Sequence, residues 1–402
     1  MMLLIMQVLT VWLAIQLLFT IWNLSRMPKL GKSLSSQSTY YQPSVDSHDQ
    51  AVADHTSGKD QHSKPILSIM IPARNEEINI RQCLESVLNC RTDSIDIEVL
   101  VMNDHSEDRT VAEIQQVIQQ DDRVRLFHSD PLPEGWMGKS YACHQLVQHA
   151  QGNWWLFIDA DVRLEVEGLE AAMVTARSQG KGLISGFPRM ETGTWLEKIL
   201  VPMMSFVIAY HLPIMMVRRS RSPFFVAVTG AWLMIHPDSY ARSGGHEGIS
   251  TQIVEDMELA RAVKRIGDPV TLANVQHYTS ARMYRNAGQV WEGYKKNIFV
   301  GAGRSPLLAI GISIYYGLLF ILPVITLIYS LCTLDTMLIG WSLLSILIGM
   351  ITKSIIDVYH GKPIWMGIYM PISAACLIGI MMDSWRAGAN GTGYNWKGRN
   401  YG

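Results

Sequence analysis

The sequence predicts an α/β domain with a mostly parallel sheet, flanked by N-terminal and C-terminal transmembrane helices. Two patterns carry this reading. Between residues 65 and 303 short apolar runs alternate with stretches of helical period, the signature of successive β-α-β units. Outside that region lie uncharged apolar stretches long enough to cross a bilayer core, one before it and three after. Composition agrees: charged residues are 17% of the 402, against about 25% in an ordinary soluble protein. Lys+Arg (34) and Asp+Glu (35) nearly cancel, which leaves no basic field for a phosphate backbone and excludes nucleic acid as a partner. The cysteines (Cys83, Cys90, Cys143, Cys332, Cys376) are scattered without a C-x-x-C pair, so neither a disulfide framework nor a zinc site is indicated and a reducing compartment fits.

Taken in order, residues 1–25 hold no charge and read as an uncleaved transmembrane anchor. A secretory signal is the rival, but the basic start and small-residue cleavage site it needs are missing. Arg26, Lys29 and Lys32 follow, and the positive-inside rule puts what comes next in the cytoplasm. Residues 26–64 are rich in Ser, Gln, Asp and His and read as a flexible polar linker that cannot bury enough surface to order itself. His48, His55 and His62 recur every seven residues there; metal binding is one reading, a solvated biased sequence the other.

Within the α/β region, strands are expected at 66–71, 97–102, 123–127 and 154–158, with helices at 77–88, 109–120 and 140–150 between them. Residues 199–217 are apolar but broken by Pro202 and Pro213, and 286–299 place Val290, Trp291, Tyr294 and Ile298 on one side with Lys295 and Lys296 available for lipid head groups. Both read as interfacial segments, near 195–217 and 286–299, that set the domain down on the membrane. Residues 304–385 form the membrane helices, and 386–402 a basic tail that the positive-inside rule keeps in the cytoplasm. Three crossings after a cytoplasmic domain would export that tail, so 363–382, interrupted by Pro371, is the expected re-entrant or interfacial member.

In open sheets of this kind ligands bind beyond the carboxyl ends of the strands. Three strands end in polar residues: Pro72-Ala73-Arg74-Asn75-Glu76-Glu77, Asn103-Asp104-His105-Ser106-Glu107-Asp108, and Asp159-Ala160-Asp161. No G-x-G-x-x-G or P-loop is present, which lowers dehydrogenase and NTPase readings. Asp159 and Asp161, two apart in extended backbone, suit Mg²⁺ or Mn²⁺ bridging a diphosphate, although a D-x-D can equally be a solvated turn. Residues 131–140 form a Gly/Pro loop opening a helix, where Lys139 and backbone N–H groups could meet an anion, or where Ser140 simply caps the helix. Asp256, in Glu255-Asp256-Met257-Glu258, is either a general base or part of an acidic first turn.

These three strand ends together resemble the inverting family 2 glycosyltransferases of GT-A fold, over the whole soluble domain. More narrowly, Gly138-Lys139-Ser140-Tyr141-Ala142-Cys143, Gly244-Gly245-His246, Arg282-Met283-Tyr284, 299–303 and 396–401 are similar to the membrane-bound branch that glycosylates C30 carotenoid acids such as 4,4'-diaponeurosporenoate. The resemblance implies a GT-A nucleotide-diphospho-sugar transferase domain and a multi-pass cell-membrane enzyme with its catalytic domain cytoplasmic. It implies a UDP-sugar donor (the hexose being glucose), a lipid or carotenoid acceptor, membrane lipids as partners, and Mg²⁺ or Mn²⁺ as cofactor. Pro72, Ala73, Glu76, Asp104, Lys139 and Asp159 would bind the nucleotide sugar, Asp161 the metal, and Asp256 would be the catalytic base. Gly230, Trp232, Arg282 and Trp291 would form the acceptor or diphosphate region. The Q-x-x-R-W of processive synthases is absent after Gln289, so a single addition is expected. One tension follows: a carboxylic acid acceptor, with a pKa near about 4.3, is already ionised at neutral pH and needs no base, whereas a hydroxyl acceptor does.

Overall fold

The computed structural model describes residues 1–34, 64–301, 303–389, 394–396 and 399–401. The first helix, α1 (Met2–Ser25), holds no charged residue and exposes Leu4, Val8, Val11, Ile15 and Leu18. The α/β region follows as β1 (Ile66–Ala73), α2 (Ile80–Leu88), β2 (Asp96–Asn103), α3 (Thr110–Ile118), β3 (Val124–His128), α4 (Gly138–Val147) and β4 (Trp154–Ile158). The expected series is therefore present. Strand β1 runs two residues past its apolar run and β2 one residue beyond each end of its own, because the parallel ladder extends from Ile66↔Asp96 to Ala73↔Asn103. Side chains alternate between two buried faces, as a covered parallel sheet requires. Leu67, Ile69, Ile71, Val99 and Val101 pack with α2 and α3, while Met70, Leu100 and Met102 pack with α4.

The chain continues through β5 (Val162–Leu164), α5 (Gly168–Gln179), β6 (Leu183–Ser185), β7 (Arg189–Met190), α6 (Trp195–His211), α7 (Ile214–Arg219), β8 (Trp232–Ile235), α8 (Pro237–Arg242), α9 (Glu255–Arg265), β9 (Val270–Leu272) and β10 (Thr279–Ala281). The main sheet has seven strands in the order β3-β2-β1-β4-β8-β6-β9. Only β8 is antiparallel to its neighbours, β4 and β6. A second sheet, β5-β10-β7, stands beside it.

The linker reading needs correction at its start. Met27, Leu30 and Leu34 are buried against the domain, Lys29 pairs with Asn274, and the N–H groups of Gly31 and Leu34 donate to Thr175 Oγ1 (2.9 Å) and Ser178 Oγ (3.0 Å). Their apolar spacing is too short to register as periodicity. Residues 35–63, with the three spaced histidines, lie outside the described residues.

The apolar run at 199–217 becomes two helices, with Pro202 inside α6 and the chain turning at Pro213. Next come α10 (Ala287–Gly301), α11 (Pro306–Tyr316), α12 (Leu322–Thr333), α13 (Thr336–Tyr359) and α14 (Met370–Ala389), then a hairpin of β11 (Tyr394–Trp396) and β12 (Arg399–Tyr401). Four stretches among the described residues are long and apolar enough to cross a membrane: Met2–Ser25, Pro306–Thr333, Thr336–Tyr359 and Ile364–Gly388. Helices α1 and α13 meet at a buried contact between Thr10 Oγ1 and Ser345 Oγ (2.6 Å).

The face of α10 expected to meet lipid is covered by protein. Tyr294 donates to Val201 O (3.0 Å) on α6, and Trp291 Nε1 donates to Asp383 Oδ2 (2.9 Å) on α14. Lys295 pairs with the same Asp383 at 3.1 Å, so its charge is taken by a carboxylate and not left for head groups.

Candidate functional site

The ends of β1, β2 and β4 lie side by side, so the polar residues after them form one rim. Asn75 and His105 both take the left-handed conformation (φ +52° and +54°), each reversing the chain directly after a strand. The two turns are laced together. Asn75 N–H donates to Ser106 Oγ (3.1 Å), Glu107 N–H to Asn75 Oδ1 (2.9 Å), Glu76 N–H to Thr110 Oγ1 (2.7 Å) and Glu77 N–H to Asp108 Oδ2 (3.1 Å). Buried Arg74 clamps the carbonyls of Asp104 (2.8 Å) and His105 (3.0 Å). Asp104 itself is buried, and its N–H donates to Ala73 O (2.8 Å). Pro72, Ala73, Glu76 and Asp104 thus share one wall, with Glu76 oriented by Asn79 Nδ2 at 2.9 Å.

The second wall is built on charge. Helix α4 begins at Gly138 with Met137 as its N-cap, so Ser140 is a buried first-turn residue and not the cap. Lys139 therefore sits in the first turn and reaches Asp159 Oδ1 at 2.6 Å and Glu255 Oε1 at 3.4 Å. Asp256, beside Glu255 in the first turn of α9, accepts from Gly230 N–H through Oδ2 (2.7 Å) and from Met257 N–H through Oδ1 (2.7 Å). A side chain at Gly230 would press on the ammonium: a Cβ there would lie 2.9 Å from Lys139 Nζ, 3.6 Å from Glu255 Oε1 and 3.8 Å from Asp256 Cβ. Lys139, Asp159, Glu255, Asp256 and Gly230 consequently form one compact cluster.

Burial and the neighbouring Glu255 carboxylate push the Asp256 carboxyl up to about 7, against the pull of Lys139 and the two N–H donors. Burial pulls the Lys139 ammonium down, but Asp159 and Glu255 outweigh it and hold its pKa well above the usual lysine value. The cluster thus carries a firm cation next to a carboxylate poised near neutrality, the condition for a general base. Lys296 belongs here as well. Burial lowers its pKa, and its electrostatic neighbours are Glu255, Lys139, Asp256 and Asp159, so its charge is felt by the cluster. The sequence signal was the adjacent pair Lys295-Lys296, whose side chains leave a helix about 100° apart and so face different neighbours.

Asp161 follows Asp159 at the β4 end, and Tyr284 is close enough for the Asp161 charge to add to burial in raising its phenol pKa. Behind α4, buried His246 exchanges contacts with Tyr240: the ring Nδ1 lies 2.9 Å from Tyr240 Oη and His246 N–H donates to the same oxygen (3.0 Å). Burial, then Lys139 and His144, lowers this imidazole to about 3, so it is neutral and structural.

Three residues expected in the acceptor or diphosphate region have their contacts outside this cluster. Trp232 is 1% exposed in the main core, where its backbone pairs with Ile158, so its indole packs the sheet. Arg282 pairs with fully buried Glu197 (3.6 Å), the residue that closes the capping box of α6 with Thr194. Burial raises the Glu197 carboxyl, yet Gly193 N–H, Thr194 and Arg282 together hold it below the usual range. Trp291 points to Asp383 on α14. Of the acceptor group, Gly230 alone joins the cluster.

Residues 68–235 match the glycosyl transferase family 2 model, which covers β1 through β8 and the first wall. The chain is 32% identical over 242 residues to a 4,4'-diaponeurosporenoate glycosyltransferase of Staphylococcus aureus (strain MRSA252), over 59% of this chain and 62% of that one. It is 32% identical over 241 residues to the protein of the same name in Staphylococcus haemolyticus (strain JCSC1435), with the same coverage. The chain thus spans under two thirds of these relatives' length. Among solved structures, the mannosyltransferase PcManGT from Pyrobaculum calidifontis in complex with GDP-Man and Mn²⁺ superposes with a TM-score of 0.51 at 16% identity, over 94% of this chain and 99% of that one. The expected GT-A fold with terminal apolar helices holds.

Proposed function

We propose, on the premise that residues 68–235 are a family 2 glycosyltransferase domain, that the chain is an inverting enzyme moving a hexose, glucose, from a UDP-sugar to a membrane-embedded lipid. The favoured acceptor is a carotenoid acid such as 4,4'-diaponeurosporenoate, the molecule in the names of the Staphylococcus relatives. The observation that carries the transferase reading is the cluster at Gly230: a carboxylate held by two N–H donors, beside a lysine tied to the first aspartate of the β4 end.

Asp159 and Asp161 fit a hard divalent cation. Mg²⁺ or Mn²⁺ takes one or two protein carboxylates and fills its remaining positions from water and diphosphate oxygens, and these two aspartates supply that set. When bound, the cation supplies positive charge toward the departing UDP. The chain's own groups do the rest. Glu76 and Asp104 offer carboxylates to the nucleoside, in a pocket whose shape Arg74 fixes through the carbonyls of Asp104 and His105. Lys139 can turn its ammonium from Asp159 to the diphosphate, and Lys296 adds charge to the same cluster. The acceptor oxygen attacks the sugar carbon on the face opposite UDP, which inverts the configuration.

A second reading has its own support. Asp256, raised to about 7, is suited to take the proton of a hydroxyl, which a carboxylate acceptor does not carry. That favours an alcohol-bearing lipid of the hopanoid, sterol-like or diacylglycerol type. Radiolabelled UDP-glucose supplied to the full chain with each acceptor class separates them: label enters the carotenoid acid on the first reading and only the alcohol on the second. Metal-dependent UDP binding with no transfer to any acceptor would leave a nucleotide-binding scaffold.

For topology we propose three crossings, by α1, by α11 with α12, and by α13, with the catalytic domain cytoplasmic. Helix α14 lies along the interface. Its Ser373 donates to Ile199 O on α6 (2.9 Å), and its Asp383 and Ser384 bond Trp291, Lys295 and Phe299 on α10. Two anchor points more than two turns apart on the same interfacial pair support a helix beside the domain, and the basic tail then stays inside. A cysteine at Asn390 labelled only from outside would overturn this.

A further inference from the structure

The last turn of α7 and the loop that leads to β8 carry charge that the transferase site does not use. From residue 198 to 237 the chain has no acidic residue, yet it holds Lys198, Arg218, Arg219 and Arg221. Arg219 and Arg221 are exposed, and Arg218 is half-buried. The Arg218 Nε and Nη1 atoms are shielded from water and have no hydrogen-bond partner among the described residues. A guanidinium in that state costs free energy, and its positive charge is left at this corner without a carboxylate. Burial lowers its pKa from the usual arginine value, the effect of desolvation with no carboxylate nearby to offset it.

The loop is built, and its position is fixed. Lys264, 3% exposed, donates to three loop carbonyls, those of Phe225 (2.6 Å), Ser220 (2.9 Å) and Ser222 (3.4 Å). The loop presents Phe224, 81% exposed, beside its arginines, with Phe225 edge-on behind it. Asn23, near the end of α1, ties this corner to a helix long and apolar enough to span. Its Nδ2 donates to Ala209 O (2.9 Å) and Leu212 O (2.7 Å), and its Oδ1 accepts from Ile214 N–H (2.8 Å). Arg218 is one helical turn beyond Ile214, and exposed Ile21, Trp22 and Arg26 sit on the same end of α1.

We propose that residues 218–225 dock the phosphate of an anionic lipid head group, with Arg218, Arg219 and Arg221 as its cations and Phe224 seated among the acyl chains. A guanidinium fork matches phosphate oxygens in pairs, which the exposed Arg219 and Arg221 can offer at the surface, while Arg218 adds its charge behind them. Phe224 has no polar group to satisfy and gains by leaving water, as an aromatic at a bilayer boundary does. The site holds the domain against the membrane by head-group charge, independently of donor or acceptor chemistry.

The test is lipid retention by the full chain, read by native mass spectrometry after exchange into detergent containing equal amounts of phosphatidylglycerol and phosphatidylcholine. The chain should retain phosphatidylglycerol preferentially. R218Q should cut that preference roughly fivefold, and R219Q/R221Q by more, from the attraction of one basic residue to an anionic surface. The pair R219Q/R221Q changes only exposed side chains, so it keeps the test decisive even if R218Q destabilises the chain. F224S should lower retention of both lipids while leaving their ratio unchanged. An unchanged ratio in R219Q/R221Q overturns the proposal. So does displacement of the lipid by glycerol 3-phosphate at equal concentration, which would mark a site for small free anions. Transfer activity enters none of these readouts, so failure here is distinct from failure of the proposed function.

Discussion

Replacing Gly230 by alanine isolates the position of one ammonium group. The Gly230 backbone is not in the left-handed region, so alanine fits its conformation, and the added methyl meets Lys139 Nζ at 2.9 Å. An ordinary carbon contact needs roughly 3.5 Å, so Nζ must retreat by about 0.6 Å. It is the far end of a flexible chain, so the fold should absorb this, with stability changing by under about 1 kcal/mol and Tm by at most about 4 °C. The bridge from Asp159 at 2.6 Å to Glu255 at 3.4 Å cannot absorb it. A misplacement of 1 Å in an active site can cost about a hundredfold, so turnover should fall on the order of tenfold. The assay is transfer of labelled hexose by the full chain in nanodiscs, with Tm measured on the same sample. G230A added to K139M should cost little more than K139M alone, because both act on one group. Full activity in G230A would refute the claim that the Lys139 position matters, and a large loss of Tm would refute the claim that the ammonium end yields.

Other expectations follow from the same geometry. D256N should lower turnover of a hydroxyl-bearing lipid by roughly a hundredfold or more and leave a carboxylate acceptor nearly unchanged, by comparison of initial rates. With the hydroxyl acceptor, kcat/KM should rise with pH and level off above about 7, since Asp256 must lose its proton to act, and the rise should vanish in D256N. E197A removes the α6 cap and leaves the Arg282 guanidinium without its carboxylate, so it should cost about 2–4 kcal/mol, read as a lower Tm without a change in KM for the donor. W232A should cost about 3–5 kcal/mol through a core cavity and should not behave as an acceptor-site variant in a KM series.

The strand ends were legible because buried parallel strands leave continuous apolar runs, and the polar residues closing those runs fall at the edge where ligands bind. Asp104 and Asp159 stand at those ends, and Lys139 where a loop opens a helix. Their partners have no such signal. That Glu255 rather than a backbone dipole meets Lys139 depends on α9 arriving beside α4 from more than a hundred residues away, which no local pattern records. The packing of Trp232 and Arg282 is hidden for the same reason: residues near a motif in sequence can also serve the core, as the Trp232 ring and the Glu197–Arg282 pair do. Interfacial helices were visible in their apolar faces, but those faces could not say what covers them. Trp291 and Lys295 meet Asp383, not lipid.

The most direct test of the account is the fate of the sugar. The full chain in nanodiscs containing a C30 carotenoid acid is supplied with labelled UDP-glucose and Mg²⁺ or Mn²⁺, and the extracted lipids are analysed by mass, with Asp161→Asn alongside. The account predicts a hexosylated lipid of inverted, β configuration made by the native chain and absent with D161N. Native protein that binds UDP-glucose but yields no hexosylated product with carotenoid acid, hopanoid, sterol or diacylglycerol would contradict it.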